Sequence, residues 1–305
     1  MQTHLKKVLV LLLVLLTAAF SANAEAGETL LVQYQTVHSS PEGYVPGSAA
    51  GMGYILKAGN SELFVIDGGN MDDGYRFLQL LKEVSGEEKP HVSVWFLSHP
   101  HSDHYGALRQ IADYYRNHLT VDAIMANFPP RDLVDTVKST SYAPGAAALD
   151  TIRYTLNADL IVPHTGDTFE VGNITVDIVT TWEDLKPVND VNETSTVLMV
   201  KTEGKKVLFL GDAYAATCKN AIANYGDRLD CNIVQVAHHA VNGGSVALYK
   251  ATGAKLYLIP NNREPVEKAK KKDTVVYWIM NNAPETVFAG DGTEYFSLSR
   301  SENGQ

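Results

Sequence analysis

The strongest constraint on this chain is the run Val94-Trp95-Phe96-Leu97-Ser98, followed at once by His99-Pro100-His101-Ser102-Asp103-His104. The first part reads as a buried strand, a short apolar run closed by a turn. The second places four metal-competent side chains within six residues. Alternate residues share a face in extended backbone, so a strand tip can aim His99 and His101 the same way. Asp103 and His104 then open a helix expected from about Tyr105 to Leu119. Imidazole and carboxylate suit zinc or another borderline divalent ion at a centre that keeps one position open. The competing reading, a solvated polar turn, leaves that density of ligands without a cause.

Other acidic and imidazole groups follow apolar runs in the same way. Leu63 to Asp67 ends in Asp67-Gly68-Gly69, after a hairpin from Gly53 to Ala58 across Gly59-Asn60-Ser61. Asp67-Gly68-Gly69 resembles the first landmark of the metallo-β-lactamase-fold hydrolases, which implies a carboxylate supporting a metal-binding histidine; the other reading is the cap of a helix over Asp72 to Val84. Thr196 to Thr202 and Lys205 to Leu210 form a second hairpin that delivers Gly211-Asp212. A strand Asn232 to Ala237 ends in His238-His239, after a helix from Tyr214 to Tyr225. On a strand or its turn, one of that pair faces the metal and its neighbour points elsewhere. The pair resembles the last metal landmark of the metallo-β-lactamase-fold hydrolases, which implies His239 as the ligand and His238 as a substrate-contacting or supporting group. Asn242, Ser245 and Asn192 are candidates for the rim of the site.

These landmarks, in this order, resemble the His-x-His-x-Asp-His superfamily of metallo-β-lactamase-fold hydrolases over nearly all of the chain after residue 24. The likeness is greatest to two branches: the exported hydrolase domain of bacterial DNA-uptake channels and the teichoic-acid phosphorylcholine esterases. It implies an α/β fold, the four-layer αβ/βα sandwich, with metals at the edge between two sheets. It also implies a ligand set of His99, His101, Asp103, His104, Asp212 and His239, with Asp212 bridging two ions and Asp67 orienting a histidine. The cofactor would be one or two zinc ions, with manganese the other candidate. One departure stands out. Where the superfamily commonly supplies a further histidine, this chain reads Asp190-Val191-Asn192-Glu193-Thr194-Ser195. The site on His99 and His101 is then one ligand short.

The implied activity is hydrolysis by a metal-activated water. Asp103 would orient the nucleophile, and His238 or a metal-bound water would protonate the leaving group. A phosphodiester or phosphorylcholine-type ester is the first expectation, on a small molecule or cell-wall polymer. A lactone or amide is the second. An exported binding protein with a degenerate metal site is the third.

Residues 1–24 read as a secretory signal: Lys6 and Lys7, then apolar Val8 to Leu16, then Ala22-Asn23-Ala24. The apolar run is short for a membrane span. A secreted or cell-envelope bacterial protein follows, one hydrolase domain over 25–305 with no stable span after cleavage. Both signal charges are lysines, so 23 of the 25 basic residues remain against 35 acidic ones, a net of −12. That charge disfavours nucleic acid as a partner. Cys218 and Cys231 are either a disulfide or two buried thiols. His164 reads as a surface histidine, and Lys268, Lys270, Lys271 and Lys272 as a solvated helix face.

Overall fold

The computed structural model describes residues 27–40, 42–43, 50–130, 133, 142–269, 271 and 274–300. The expected leader, and Lys270 and Lys272, lie outside the described residues. The first half supplies β1 (Leu30–Gln33), β2 (Gly53–Lys57), β3 (Leu63–Asp67), helix α1 (Gly74–Ser85), β4 (His91–Phe96), α2 (Ser102–Gln110), β5 (Thr120–Met125), α3 (Tyr142–Leu156) and β6 (Asp159–Ile161). The second supplies β7 (Thr168–Val171), β8 (Ile174–Thr180), β9 (Val197–Lys201), β10 (Lys206–Phe209), α4 (Ala215–Tyr225), β11 (Ile233–Gln235), α5 (Val246–Thr252), β12 (Leu256–Ile259), α6 (Arg263–Ala269), α7 (Val275–Asn282), β13 (Glu285–Phe288) and β14 (Glu294–Ser297).

Among the described residues the strands form two seven-stranded sheets, ordered β14-β1-β2-β3-β4-β5-β6 and β13-β12-β11-β10-β9-β8-β7. Within them β3 to β6 run parallel, as do β10 to β13. Parallel strands are covered on both faces, which explains why β3 reads Leu-Phe-Val-Ile-Asp with every residue buried. The fold is the expected four-layer sandwich. Phe64, Phe96, Leu198 and Phe209 fill the space between the sheets. Phe77, Leu81, Leu108 and Ile152 cover the outer face of the first sheet from α1, α2 and α3. Cys218, Ala221, Leu248 and Ile279 cover the second from α4, α5 and α7.

This architecture brings the carboxyl ends of two parallel strand pairs together, the usual place for a site in an α/β sheet. The tips of β3 and β4 meet those of β10 and β11. Thr196 N donates to Ser98 O across the junction at 3.0 Å. Gly211, with φ +54°, comes so close that a Cβ there would lie 3.0 Å from the Ser98 Cβ. Trp95, wholly buried against Phe77 at 5.5 Å, donates its Nε1 to Asp67 O at 2.7 Å. The core thus grips the β3 tip directly.

Two local expectations change. The helix read to Leu119 ends at Gln110, and a π turn (Ile111–Tyr115) and a 3-10 turn (Arg116–His118) continue it. The Ile111 N–H already divides between the carbonyls of Ala107 and Leu108. Ile111, Asp113, Tyr114 and Tyr115 are weak helix formers and do not hold the regular ladder. The cysteines are two free, buried thiols rather than a disulfide. Burial pushes both up to about 12, so neither is a reactive thiolate at neutral pH.

Candidate metal centre

Asp212 sits at the middle of the strand junction, one residue beyond the left-handed Gly211. Its backbone N–H donates to Ser195 Oγ at 3.0 Å. The residue is 1 % exposed, and four imidazole nitrogens surround one of its side-chain oxygens. From Asp212 Oδ2 the distances are 3.7 Å to His99 Nε2, 3.3 Å to His104 Nε2, 3.5 Å to His239 Nε2 and 3.8 Å to His238 Nε2. Asp103 Oδ2 lies 3.0 Å from His239 Nε2 and 3.6 Å from His104 Nε2. Ligand atoms lying within 4.8 Å of one another thus fall into two groups: Asp103, His104, Asp212 and His239, and His99, His101 and Asp212. Every side chain expected to ligate metal is in one of them, and Asp212 is in both.

The tautomers are set from behind. Asp67 takes the left-handed φ of 54° at the β3 tip, which turns its carboxylate toward the β4 tip. Its Oδ1 accepts from Ser98 N at 2.8 Å and its Oδ2 from Ser98 Oγ at 2.7 Å. The Ser98 hydroxyl proton is therefore spent on Asp67, since a carboxylate only accepts. His99 Nδ1, 3.1 Å from Ser98 Oγ, must then be the donor, and its Nε2 keeps the lone pair. His104 Nδ1 faces Asp67 Oδ2 at 2.7 Å and is likewise protonated, again leaving Nε2 free. His239 does the same with a backbone acceptor, its Nδ1 lying 3.1 Å from Pro260 O. This is the carboxylate- or carbonyl-oriented imidazole that metal sites require.

The carboxylates dominate the electrostatics, and a cation taking the Nε2 atoms of His104 and His239 would displace protons from them. Burial opposes charge on His239, yet Asp212 and Asp103 outweigh it and push the ring up to about 10. Burial is likewise outweighed at His104, by Asp212, Asp103 and Asp67. The same pairs hold Asp103 and Asp212 well below the usual carboxylate range against their own burial. At His99 burial wins, aided by His104, and keeps the imidazole neutral. Two ionised carboxylates facing a wall of imidazoles make a cation-binding environment. His104 Nε2, His239 Nε2 and Asp212 Oδ1 are also buried without a hydrogen-bond partner among the described residues. Buried orphaned nitrogen and carboxylate atoms of this kind are what a divalent ion satisfies. The residues fit such an ion.

His238-His239 departs from the expected alternation. The strand stops at Gln235, and the pair sits in a 3-10 turn, His238–Ala240. His238, His239 and Ala240 take φ of +49°, +51° and +58°. Each such non-glycine residue costs on the order of 1–3 kcal/mol, a strain typical of functional sites. In that turn both rings reach the carboxylates, so His238 does not point elsewhere. Its Nδ1 contacts Asn242 Oδ1, which leaves Nε2 facing Asp212.

The expected rim divides. Asn192 is there, 7 % exposed, donating its Nδ2 to Tyr214 Oη at 3.0 Å. Asn242 is there, through His238. Ser245 is the N-cap of α5, its Oγ accepting from Leu248 N at 3.2 Å. His164 is exposed and paired with Glu183 at 2.8 Å, away from the centre. Lys268 pairs with Glu264 one turn back, and Lys271 is exposed.

Sequence reasoning passed over three groups. Ser98 was hidden at the end of an apolar run, although a hydroxyl directly before His99 was a usable signal. Tyr214 was hidden as the first residue of a helix, two positions after Asp212. The Pro260 carbonyl left no side-chain signal at all.

The fold and site define a class: an α/β sandwich whose sheet edges hold a dinuclear-type cluster of histidines and aspartates, the equipment of a metal-dependent hydrolase. The family model of the metallo-β-lactamase superfamily matches residues 50–271, and the chain belongs to that superfamily. Zn2+-bound PqqB from Methylobacterium extorquens is a structural neighbour, with a TM-score of 0.53 at 11% identity, covering 88% of this chain and 100% of that one. Tm1679, a metal-dependent hydrolase of the β-lactamase superfamily, has a TM-score of 0.51 at 15% identity over 88% and 99% of the two chains. CmlA, a diiron β-hydroxylase from Streptomyces venezuelae, has a TM-score of 0.50 at 13% identity over 90% of this chain and 55% of its own. No curated protein matches the chain. Since neighbours carry zinc in one case and two irons in another, the fold does not choose the metal.

Proposed function

We propose that the protein is an exported hydrolase of phosphodiesters or phosphorylcholine-type esters. The observation that carries this reading is the position of Asp212 Oδ2, within 3.8 Å of four imidazole nitrogens and shared by two ligand groups. His99, His101 and Asp212, and Asp103, His104, Asp212 and His239, would hold divalent cations, which when bound would supply Lewis acidity and an acidified water. A pair of adjacent cation positions suits a phosphodiester, whose attacking and leaving oxygens both carry charge in the transition state. The group on His99 and His101 has three protein ligands, which leaves room for a substrate oxygen.

Asp103, ionised and 8 % exposed, orients the attacking water through Oδ2. His238 holds its Nδ1 proton on Asn242 Oδ1 and presents Nε2 toward the reaction centre, where it can relay a proton to the leaving oxygen. Asp67 and Ser98 do not touch the substrate. They hold His99 and His104 in the ligating tautomer, so no reorganisation is needed at the moment of reaction. Export is supported by the leader-like pattern of residues 1–24, and zinc or manganese by the nitrogen and oxygen donor set.

The test is hydrolysis of bis-p-nitrophenyl phosphate and p-nitrophenyl phosphorylcholine by the mature chain, with His101→Ala as control. Turnover of either ester, lost in the variant, is expected. Bound metal with no turnover of either, but turnover of a lactone or amide, would overturn the substrate assignment.

A further inference from the structure

The phenol of Tyr214 stands at the mouth of the centre and is held from two sides. Asn192, from the short turn before β9, donates its Nδ2 to Tyr214 Oη at 3.0 Å. The ring itself packs edge-on against His238 at 5.3 Å and 61°. That histidine is the one whose Nε2 lies 3.8 Å from Asp212 Oδ2.

A proton count follows. A phenol oxygen accepts hydrogen bonds and donates one. The one hydrogen bond to Tyr214 Oη comes from an amide nitrogen, which only donates, so it cannot take the phenol's proton. Among the described residues no hydrogen bond donated by Tyr214 Oη is found, although Asn192 and the His238 ring fix the side chain. Immobilising a side chain costs rotamer entropy, and a surface tyrosine on a helix N-terminus has no structural need of it. An oxygen held by one amide donor, with its own proton free, describes a preorganised donor beside the place where substrate oxygen arrives.

We infer that the Tyr214 hydroxyl donates a hydrogen bond to a non-bridging oxygen of the substrate, and that Asn192 is a positioning residue that points its proton there. The donor serves an oxygen that gains charge as the nucleophile adds. It transfers no proton and makes no bond to the leaving group. Tyr214 thereby supplies a neutral contact beside the cluster, on the face where the centre lacks a further histidine. This rests on the phosphoester reading above.

The test uses the metal-loaded mature chain and Tyr214→Phe, which removes one oxygen and keeps the ring. A series of methyl aryl phosphates, from p-nitrophenol to phenol as leaving group, separates the two places a donor could act. The expected result is a fall in kcat/KM of about 10- to 100-fold, by the same factor along the series, with metal content unchanged. A loss that steepens with the basicity of the leaving phenol would overturn the assignment, because the hydroxyl would then serve the leaving oxygen. A second measurement does not need turnover: the affinity for inorganic phosphate. Tyr214→Phe should weaken it about 5- to 10-fold, and equal binding by both chains would overturn the inference. If the native chain binds phosphate in this way but cleaves no phosphoester, the functional reading fails and the donor stands. Asn192→Ala should cost activity in the native background and nothing further in Tyr214→Phe, whereas additive losses would contradict its positioning role.

Discussion

At the scale of single residues, the centre depends on one carboxylate that touches no substrate. Asp67 takes the Ser98 N–H, the Ser98 hydroxyl and His104 Nδ1, and so settles which nitrogen of His99 and His104 faces the cation. Asp67→Asn keeps the shape but gives one side of the group donors in place of acceptors. Metal affinity should fall about 10- to 100-fold, measured by competition with a chromophoric chelator; an unchanged affinity would mean the tautomers are set elsewhere. Most of this residue-level chemistry was legible in the sequence. His99, His101, Asp103, His104, Asp212 and His239 could be read because ligands cluster at the ends of apolar strands. Two things were not legible. Ser98 acts through a hydroxyl proton whose direction depends on Asp67, thirty-one positions earlier. His238 turns inward because three successive residues adopt left-handed backbone, a tertiary strain that no local pattern reports.

At the scale of elements, α2 has to lie close enough to the β3 tip to place Asp103 and His104. Gly106 permits that approach: a Cβ there would lie 2.5 Å from the Asn70 carbonyl carbon and 2.5 Å from Met71 N. Both are backbone atoms and cannot swing aside. Gly106→Ala should destabilise the fold by about 1–3 kcal/mol, the usual cost of overpacking. Because the same shift moves two ligands, metal affinity should fall with it. Urea denaturation and chelator competition on one preparation check both, and a variant that is as stable and binds as tightly as the native chain would contradict the account. Strand positions were legible here, β3 to the residue, because buried parallel runs and hairpins carry strong apolar and turn signals. The break of the helix after Gln110 and the early end of β11 were not, since both depend on how the backbone ends fit the sheet junction.

At the scale of the whole molecule, metal and pH each act on stability. A cation that binds only the folded chain stabilises it by mass action, about 4 kcal/mol at a thousandfold excess over its dissociation constant. Stripping the metal should therefore lower Tm by roughly 10 °C, and restoring it should recover the loss in a thermal scan. A Tm indifferent to chelation would contradict a loaded native state. The pH effect comes from Asp73, a buried carboxyl beneath α1. Burial pushes it up to about 6, against hydrogen bonds from the Val37 and Asn70 amides and the Tyr34 hydroxyl. Its ordinary value is 3.8, so it takes up a proton on folding. Its contribution is whole below about pH 4 and is lost as pH rises through 6, about 2–3 kcal/mol in all. Comparing urea midpoints of the native chain and Asp73→Asn from pH 4 to 7 isolates it: the native chain should lose stability relative to the variant across that window. Parallel pH profiles would contradict the assignment.

The central claim is that one carboxylate, Asp212, serves two cation sites. It is tested most directly by counting metal ions per chain by mass spectrometry of the native protein and three variants. Two ions are expected in the native chain, one in His101→Ala, one in His239→Ala and none in Asp212→Ala. Retention of both ions by Asp212→Ala, or loss of both in His101→Ala alone, would contradict the shared-ligand arrangement.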